Sequence, residues 1–392
     1  MIYYELRRLY SKPSTKVLCL ILIVIAFSLV ILAIDYADWV NSDGTHSHGI
    51  DAIHQLKEAK ELWAGPLTEE RIAEVIEANK EKSNDYVNEQ GYLDITLLIN
   101  RSFSSFKEYD YTTIDRLSVN DAQKFYSNRV EHLIEWLNAD GTNQYNEIEQ
   151  NYLVEQYNAM DIPLFYESSD GWVSVKENIA AIITVTVIVN CLIVTNIFTS
   201  EKQYHEDSIY FSTYHGRDKG IVAKLNAGIA FSTGVYIFVL LIYTSAILFV
   251  FGTSGAECMI QAYSRNWKSM YNITNLEEYL LIFCGGYIGC IFMSMLSMFV
   301  SAWTRSSVIS LLVSYSILFL TPILGALPGM SGDFVWLLPD QLLAIHNIIL
   351  QMKVYSIGGI VLEPIRIIFT LYSIFIAALY PLTYHISKYK KL

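Results

Sequence analysis

Six stretches of this chain, residues 17–34, 179–198, 227–251, 280–300, 308–324 and 367–384, contain no Asp, Glu, Lys or Arg and are almost wholly apolar. A helix rises about 1.5 Å per residue, so about 20 apolar residues cross a hydrocarbon core about 30 Å thick. One such run could be the core helix of a soluble domain. Six in a chain of 392 residues call for a lipid solvent, in which a helix satisfies all its own backbone groups. The expected fold class is therefore an all-α polytopic membrane protein with six transmembrane helices. The first run follows a basic leader, as a signal peptide would. No small-x-small cleavage site comes after it, and Asp35, Tyr36 and Trp39 read as an interfacial boundary, so an uncleaved first span at 17–35 is expected.

Charge separates the chain into two environments. Only 17% of the residues are charged, where a soluble domain carries about a quarter. Residues 36–176 hold 26 acidic and 11 basic side chains, a net charge of −15, whereas the whole chain sums to −12. The remainder is thus slightly basic, and the acidic balance argues against a nucleic-acid partner. Short loops rich in Lys and Arg stay on the cytoplasmic side. Arg7, Arg8, Lys12 and Lys16 precede the first run; Lys202, Arg217, Lys219 and Lys224 follow the second; Lys388, Lys390 and Lys391 close the chain. With six spans these segments share one side. The expectation is a multi-pass protein of the plasma membrane with both termini cytoplasmic, an extracellular domain at 36–176, and the remaining five spans within 177–392.

Residues 1–16 place Ile2, Tyr3, Leu6, Leu9 and Tyr10 on one helical face and Glu5, Arg7, Arg8 and Lys12 on the other. That pattern suits an amphipathic elbow helix in the inner interface against membrane lipid, and it also suits an ordinary basic flank. The extracellular domain reads as mainly helical. Thr68 can cap a helix opening with Glu69 and Glu70, and further helices are expected over 118–137 and 146–160. Its ten tyrosines offer either a recognition surface or packing. His46, His48, Asp51 and His54 fall within nine residues, in donor types that suit zinc or copper. Gly44 and Gly49 equally allow a flexible loop with solvated histidines. Between the last two spans, Leu338, Leu342, Ile345, Ile349 and Met352 repeat at helical spacing, which predicts an amphipathic helix over 338–352 dipping into the outer leaflet. Four of the five cysteines lie in apolar runs without CxxC spacing, the pattern of packing residues.

Catalytic chemistry is not legible. No span carries the ionisable residue that proton-coupled transport uses, and no intramembrane metal-ligand motif occurs. Nor is there a G-x-x-x-x-G-K-[ST] phosphate loop. An enzyme is not expected, this chain itself needs no cofactor, and energy for active transport would come from another polypeptide. Asn190 and Asn196 in the second span are candidates for lining a path, and equally for hydrogen bonds between packed helices.

The segment 200–226 supplies a docking element. It opens with Glu201 and ends with Lys224 just before the third span. Within it, Asp207 or Ser208 can start a short helix that presents Ile209, Tyr210 and Phe211 before Gly216 and Arg217. A short helix at a membrane boundary can sit in a partner's groove and pass on its motion as a rigid body. In its string Glu201…Ser212-Thr213…Gly216-Arg217…Lys224, its Asp170-Gly171-Trp172 step, and its order of elbow, span, large insert, span, coupling loop and four further spans, the chain resembles the permease subunits of type-2 ABC transporters common in Gram-positive bacteria. It departs from that pattern at His205, where many relatives carry glycine. The resemblance implies a cytoplasmic ABC ATPase subunit that binds ATP and magnesium and seats on 207–216. It also implies a second permease chain, identical or related, and export of a peptide or amphiphilic molecule, with antimicrobial-peptide export or resistance as one case. The rival expectation is a membrane-anchored receptor or mechanotransmitting protein whose outer domain binds a ligand while nothing crosses the bilayer.

Overall fold

The computed structural model describes residues 1–80, 86–139, 145–200, 218–325 and 332–389. The chain opens with α1 (Ile2–Ser11) and α2 (Pro13–Asp35), separated by the single extended residue Lys12. Pro13 occupies the first position of α2, where its missing N–H costs no hydrogen bond. Leu9 of α1 is buried, the Tyr10 ring packs 4.9 Å from that of Phe231, and the Arg8 guanidinium donates to Ser200 Oγ at 2.9 Å.

A polar body follows. Strands β1 (Asp38–Val40) and β2 (His46–His48) form an antiparallel pair leading into α3 (Gly49–Glu61). Strand β3 (Gly65–Pro66) pairs with the distant β4 (Phe165–Tyr166), closing a loop that holds α4 (Glu69–Lys80), α5 (Tyr86–Phe103), α6 (Ser127–Asn138) and α7 (Glu147–Asn158). As expected, Thr68 Oγ1 accepts from the Arg71 N–H at 3.3 Å, and Ile72, Val75 and Ile76 are fully buried. Asn146 and Glu149 cap α7 reciprocally.

The helix expected over 118–137 is divided. Ser118 and Asp121 box a 3-10 turn at Val119–Lys124, and α6 starts only at Ser127. Tertiary anchoring explains the break: Phe125 is fully buried, and the Tyr126 hydroxyl donates to Leu67 O while accepting from Leu164 N–H.

Beyond the body, α8 (Asp170–Val194) continues as a 3-10 turn to Ile197. It is followed by α9 (Lys219–Phe251) and α10 (Asn275–Thr304), then α11 (Ser307–Leu318), α12 (Leu320–Gly325), α13 (Ile345–Ile349) and α14 (Pro364–Tyr389). Helices α2, α8 with its extension, α9, α10 and α14 are long and apolar enough to cross a membrane. The chain is thus predominantly helical, with five helices fit in length and composition to span a membrane. The boundary expected at 176/177 falls inside α8, which starts at Asp170. The run at 308–324 breaks at Phe319 into α11 and α12; the 12 residues of α11 span only about 18 Å.

The amphipathic helix expected over 338–352 is also broken, at Ala344, into a 3-10 turn (Pro339–Leu343) and α13. Its apolar side chains meet protein: Leu343 and Ile345 fill the space left beside α10 by Gly289 and Gly285, where an added Cβ would crowd them. Strands β5 (Tyr355–Ile357) and β6 (Ile360–Leu362) then form a hairpin turned by Gly358 and Gly359, both at positive φ.

Helices α8 and α10 form the centre, 61% of their apolar windows being buried, against 17% for α2 and α14. Leu20, Val24, Phe27 and Ile31 of α2 therefore face outward, as lipid-facing residues do. The termini meet at one end of the bundle. Arg8 reaches Ser200, Tyr380 donates to Asn226 Oδ1 at 3.0 Å, and Tyr384 and Lys388 both reach Asp218. The body occupies the opposite end.

Candidate functional site

The densest polar chemistry lies where the body meets the helical bundle. Each residue of the Asp170-Gly171-Trp172 step serves that joint. The Asp170 carboxylate accepts from Lys60 Nζ at 2.7 and 2.9 Å. Gly171 lets α8 approach the end of α9 so closely that an added Cβ would collide with the Gly252 carbonyl oxygen. Trp172 Nε1 donates to Thr253 O at 3.2 Å.

Lys60, from α3, is nearly fully buried and also pairs with Asp94 of α5 at 2.9 Å. Burial alone would lower its pKa, but the two carboxylates outweigh that and raise it. The Tyr166 hydroxyl donates to Asp94 at 3.0 Å, and burial together with that carboxylate pushes its pKa well up. Two body helices and the first turn of α8 are thus tied through one ammonium.

A second cluster sits across the bundle. Lys176 Nζ of α8 lies 2.5 Å from Glu278 Oε2 and 2.8 Å from Asn275 Oδ1, both on α10. The other Glu278 oxygen is 2.7 Å from His346 Nδ1 on α13. The Lys176 and Glu278 side chains are 3% and 0% exposed, so each is compensated almost entirely by the other and by polar neighbours. Asn275 Nδ2 donates to Gly255 O at 2.9 Å, holding the α9–α10 connection to the same cluster.

The connection between α9 and α10 belongs to the body as well. Trp267 is buried in the body core beside Phe125. Arg129 of α6 donates to Trp267 O, Ser269 O and Tyr157 O at 3.0, 2.8 and 3.2 Å, with its guanidinium 3.8 Å over the Tyr157 ring. Desolvation lowers its pKa. The segment before α14 is bound in the same way, by Tyr145 to Met352 O at 2.7 Å and by Tyr152 to Glu363 at 2.6 Å. The body therefore takes in more chain than residues 36–176.

The residues singled out in the sequence fare differently. Glu201, Asp207, Ser208, Phe211 and Arg217 lie outside the described residues. Lys224 is buried in the second turn of α9, its ammonium 5.7 Å from the Phe198 ring, so it faces the bundle interior. Asn190 is fully buried: its Nδ2 donates to Ser232 O at 3.4 Å and contacts Cys290 Sγ at 3.2 Å, while Oδ1 has no hydrogen-bond partner among the described residues. Asn196 is half-buried and donates to Leu192 O at 3.0 Å. Asn190 thus bonds to two neighbouring helices, and Asn196 within its own.

His46 and His48 lie on β2 and direct their Nδ1 atoms to Asp38, at 3.0 and 3.3 Å. Asp51 and His54 sit on α3, so the four cluster residues divide between a strand and a helix. Among the described residues, no group of three or more His, Cys, Asp or Glu is arranged to hold a metal ion.

Sequence reasoning did not single out Lys60, Asp94, Lys176, Glu278 or His346. The one available signal was ionisable residues just outside the apolar runs at 179 and 280; their pairing over 102 positions is a tertiary fact. Compared with known proteins, the chain matches no family model, no curated protein and no solved structure.

Proposed function

We propose that this chain is the permease subunit of an ATP-driven exporter, moved by a separate cytoplasmic ATPase that grips residues 201–217. The observation that carries this reading is mechanical. Helices α8 and α9, which flank that segment, run unbroken to the far end of the bundle, the 33 residues of α9 spanning about 50 Å. There Asp170 fixes α8 to the body through Lys60, Trp172 ties α8 to the chain just after α9, and Lys176 ties α8 to α10. A push on the connecting segment has two stiff levers to act on.

In this reading the chain makes six crossings. The fifth in chain order, between Thr304 and the segment 333–363, which bonds to the body, is carried by α11 with α12. The Lys and Arg bias of the loops orients the body outward and both termini inward. A second permease chain completes the path, and the cargo is a peptide or amphiphile.

The fixed joint also favours a second reading, in which the levers transmit force to the body and nothing crosses the bilayer. Purification of the intact chain from its native membrane in mild detergent tests the motor. An ATP-hydrolysing partner should accompany the wild type, and Arg217→Glu or Phe211→Ala should reduce its recovery at least tenfold. A wild type that brings no ATPase, or variants that retain it fully, would leave the receptor reading instead. ATP-dependent uptake of labelled peptide into inverted vesicles separates export from force transmission.

A further inference from the structure

A cleft of about 420 Å³ opens at the junction of body and bundle, between the end of α2, the underside of α3, the start of α8 and the end of α9. Its lining joins apolar Ala33, Val173 and Phe251 and aromatic Tyr36 to the charged Lys57, Lys60, Asp170 and Glu177. The volume falls in the range of small-molecule sites.

These charges are not equivalent. Lys60 and Asp170 neutralise each other, with Asp94 as the third member. Among the described residues, Lys57 pairs with the Glu61 carboxylate at 3.9 Å and Glu177 with Arg265 at 3.8 Å, both at the outer limit of an ion pair. Both side chains are more than a third exposed, and both line the cleft. Lys57 reaches toward the end of α9, its Nζ lying 3.4 Å from where a Cβ on Gly252 would stand. The cleft thus offers one cation and one anion above an apolar floor. That floor continues along α2, where half-buried Leu29 and Ile25 lie one and two turns from Ala33 on the same face. Ser168 and Ser174 add hydroxyls to the lining.

The geometry points to a binding site for a zwitterionic phospholipid whose headgroup carries a primary ammonium. Its phosphate meets Lys57, its ammonium is accepted by Glu177, and an acyl chain follows the Ala33–Leu29–Ile25 face into the bilayer. A headgroup with net negative charge would bring nothing to Glu177. A quaternary ammonium has no N–H to donate to the Glu177 carboxylate, whereas a primary ammonium has three. The site supplies a fixed lipid contact at the joint between lever helices and body. It stands independently of the motor, because binding is measured on this chain alone.

Native mass spectrometry of the full-length chain in detergent, titrated with defined lipids, tests the inference. Phosphatidylethanolamine should bind with one tightly retained equivalent, at least tenfold more tightly than phosphatidylglycerol or phosphatidylcholine. Lys57→Ala and Glu177→Ala should each weaken it about tenfold, and Arg71→Ala, on the far side of the body, should leave it unchanged. Both cleft substitutions are at exposed side chains and should leave the thermal midpoint in place. Ala33→Phe, which fills the floor, should abolish retention. Equal retention of phosphatidylglycerol, or unchanged phosphatidylethanolamine binding in both cleft variants, would overturn the assignment. Binding of phosphoethanolamine as tight as that of the lipid would overturn it too, showing a soluble zwitterion site.

Discussion

Removing the Glu278 charge should destabilise the bundle severely, and removing its partner at the same time should largely repair the damage. Lys176 and Glu278 are 2.5 Å apart and essentially inaccessible to solvent. Breaking a buried pair from one side leaves an uncompensated charge and costs about 3–5 kcal/mol, whereas replacing both members with apolar residues is often neutral or better. Glu278→Leu leaves Lys176 Nζ with Asn275 Oδ1 at 2.8 Å as an acceptor, so its cost belongs near the lower end, about 3 kcal/mol. Lys176→Met leaves Glu278 still hydrogen-bonded to His346 Nδ1 at 2.7 Å, so the loss should be similar or smaller. The double variant Lys176→Met/Glu278→Leu should recover about 2 kcal/mol or more relative to the sum of the singles, the coupling expected of residues in one ionic network. Equilibrium unfolding in mixed detergent micelles, followed by tryptophan fluorescence, gives the three values. Trp172 reports on the joint, because its ring packs 5.8 Å from Tyr279, next to Glu278. Additivity within about 0.5 kcal/mol would refute the pairing as a source of stability.

Three further outcomes are expected. Gly171→Ala places a methyl group against the Gly252 carbonyl oxygen, with Leu248 and Phe251 close by; overpacking of this kind costs about 1–3 kcal/mol, measurable as a lowered thermal midpoint. Arg129→Lys keeps the charge but replaces a fork that reaches three carbonyl oxygens with a point donor that cannot span them. A loss of about 2 kcal/mol should appear together with faster proteolysis of the α9–α10 connection. Lys268 is half-buried, and its pKa is pushed down from 10.5 to about 8, first by desolvation and then by Arg101. Between those values the unfolded chain holds the proton and the folded chain does not, so stability should rise with pH from about 8 to 10.5. Discounted for solvent screening, the gain is about 1 kcal/mol, and Lys268→Met should flatten that slope.

The parts of the fold legible in the sequence are those that depend on a local pattern. The long apolar runs give five helices their place, and Thr68 and Asn146 cap the helices expected after them. Helix α3 was obscured because Gly44 and Gly49 flank β2 and suggest a loop; in the structure Gly49, at φ +69°, is the pivot that turns β2 into α3. The run at 308–324 reads as one span on hydropathy, yet the chain breaks at Phe319. Pattern reasoning also divided the chain at the spans, so it assigned the body to residues 36–176. The structure adds Trp267 to the body core and ties the segment before α14 to Tyr145 and Tyr152, joining segments more than 100 positions apart. The ionic joint was out of reach for the same reason: Asp170 stood out through its step with Gly171 and Trp172, but its partner Lys60 and the pair Lys176 and Glu278 look like ordinary charges until the helices that carry them are packed together.

The contrast between the two ends of the bundle bears on where motion can occur. At the body end, α8, α9 and α10 are held by buried ion pairs and the close contact at Gly171. Deeper in, they meet through a seam of weak polar contacts, Ser232 Oγ to Ser294 Oγ at 2.9 Å and Asn190 to Cys290 at 3.2 Å, and α10 meets α11 through Ser297 Oγ and Ser314 Oγ at 2.7 Å. Hydrogen bonds between membrane helices contribute about 0.6 kcal/mol each on average, several-fold less than breaking one of the ionic contacts. Helices joined this way should pivot about the body end, with amplitude growing toward Lys219 and Thr304. Spin labels at the exposed Phe249 and Leu280 positions near the body, and at the exposed Lys219 and Trp303 positions at the far end, test this on the intact chain. The body-end pair should give a narrow distance distribution and the far pair one at least twice as wide. Lys176→Met should widen the body-end distribution selectively. Equal widths at both ends would mean that the bundle moves as one block, and the levers would then have no fixed pivot to work against.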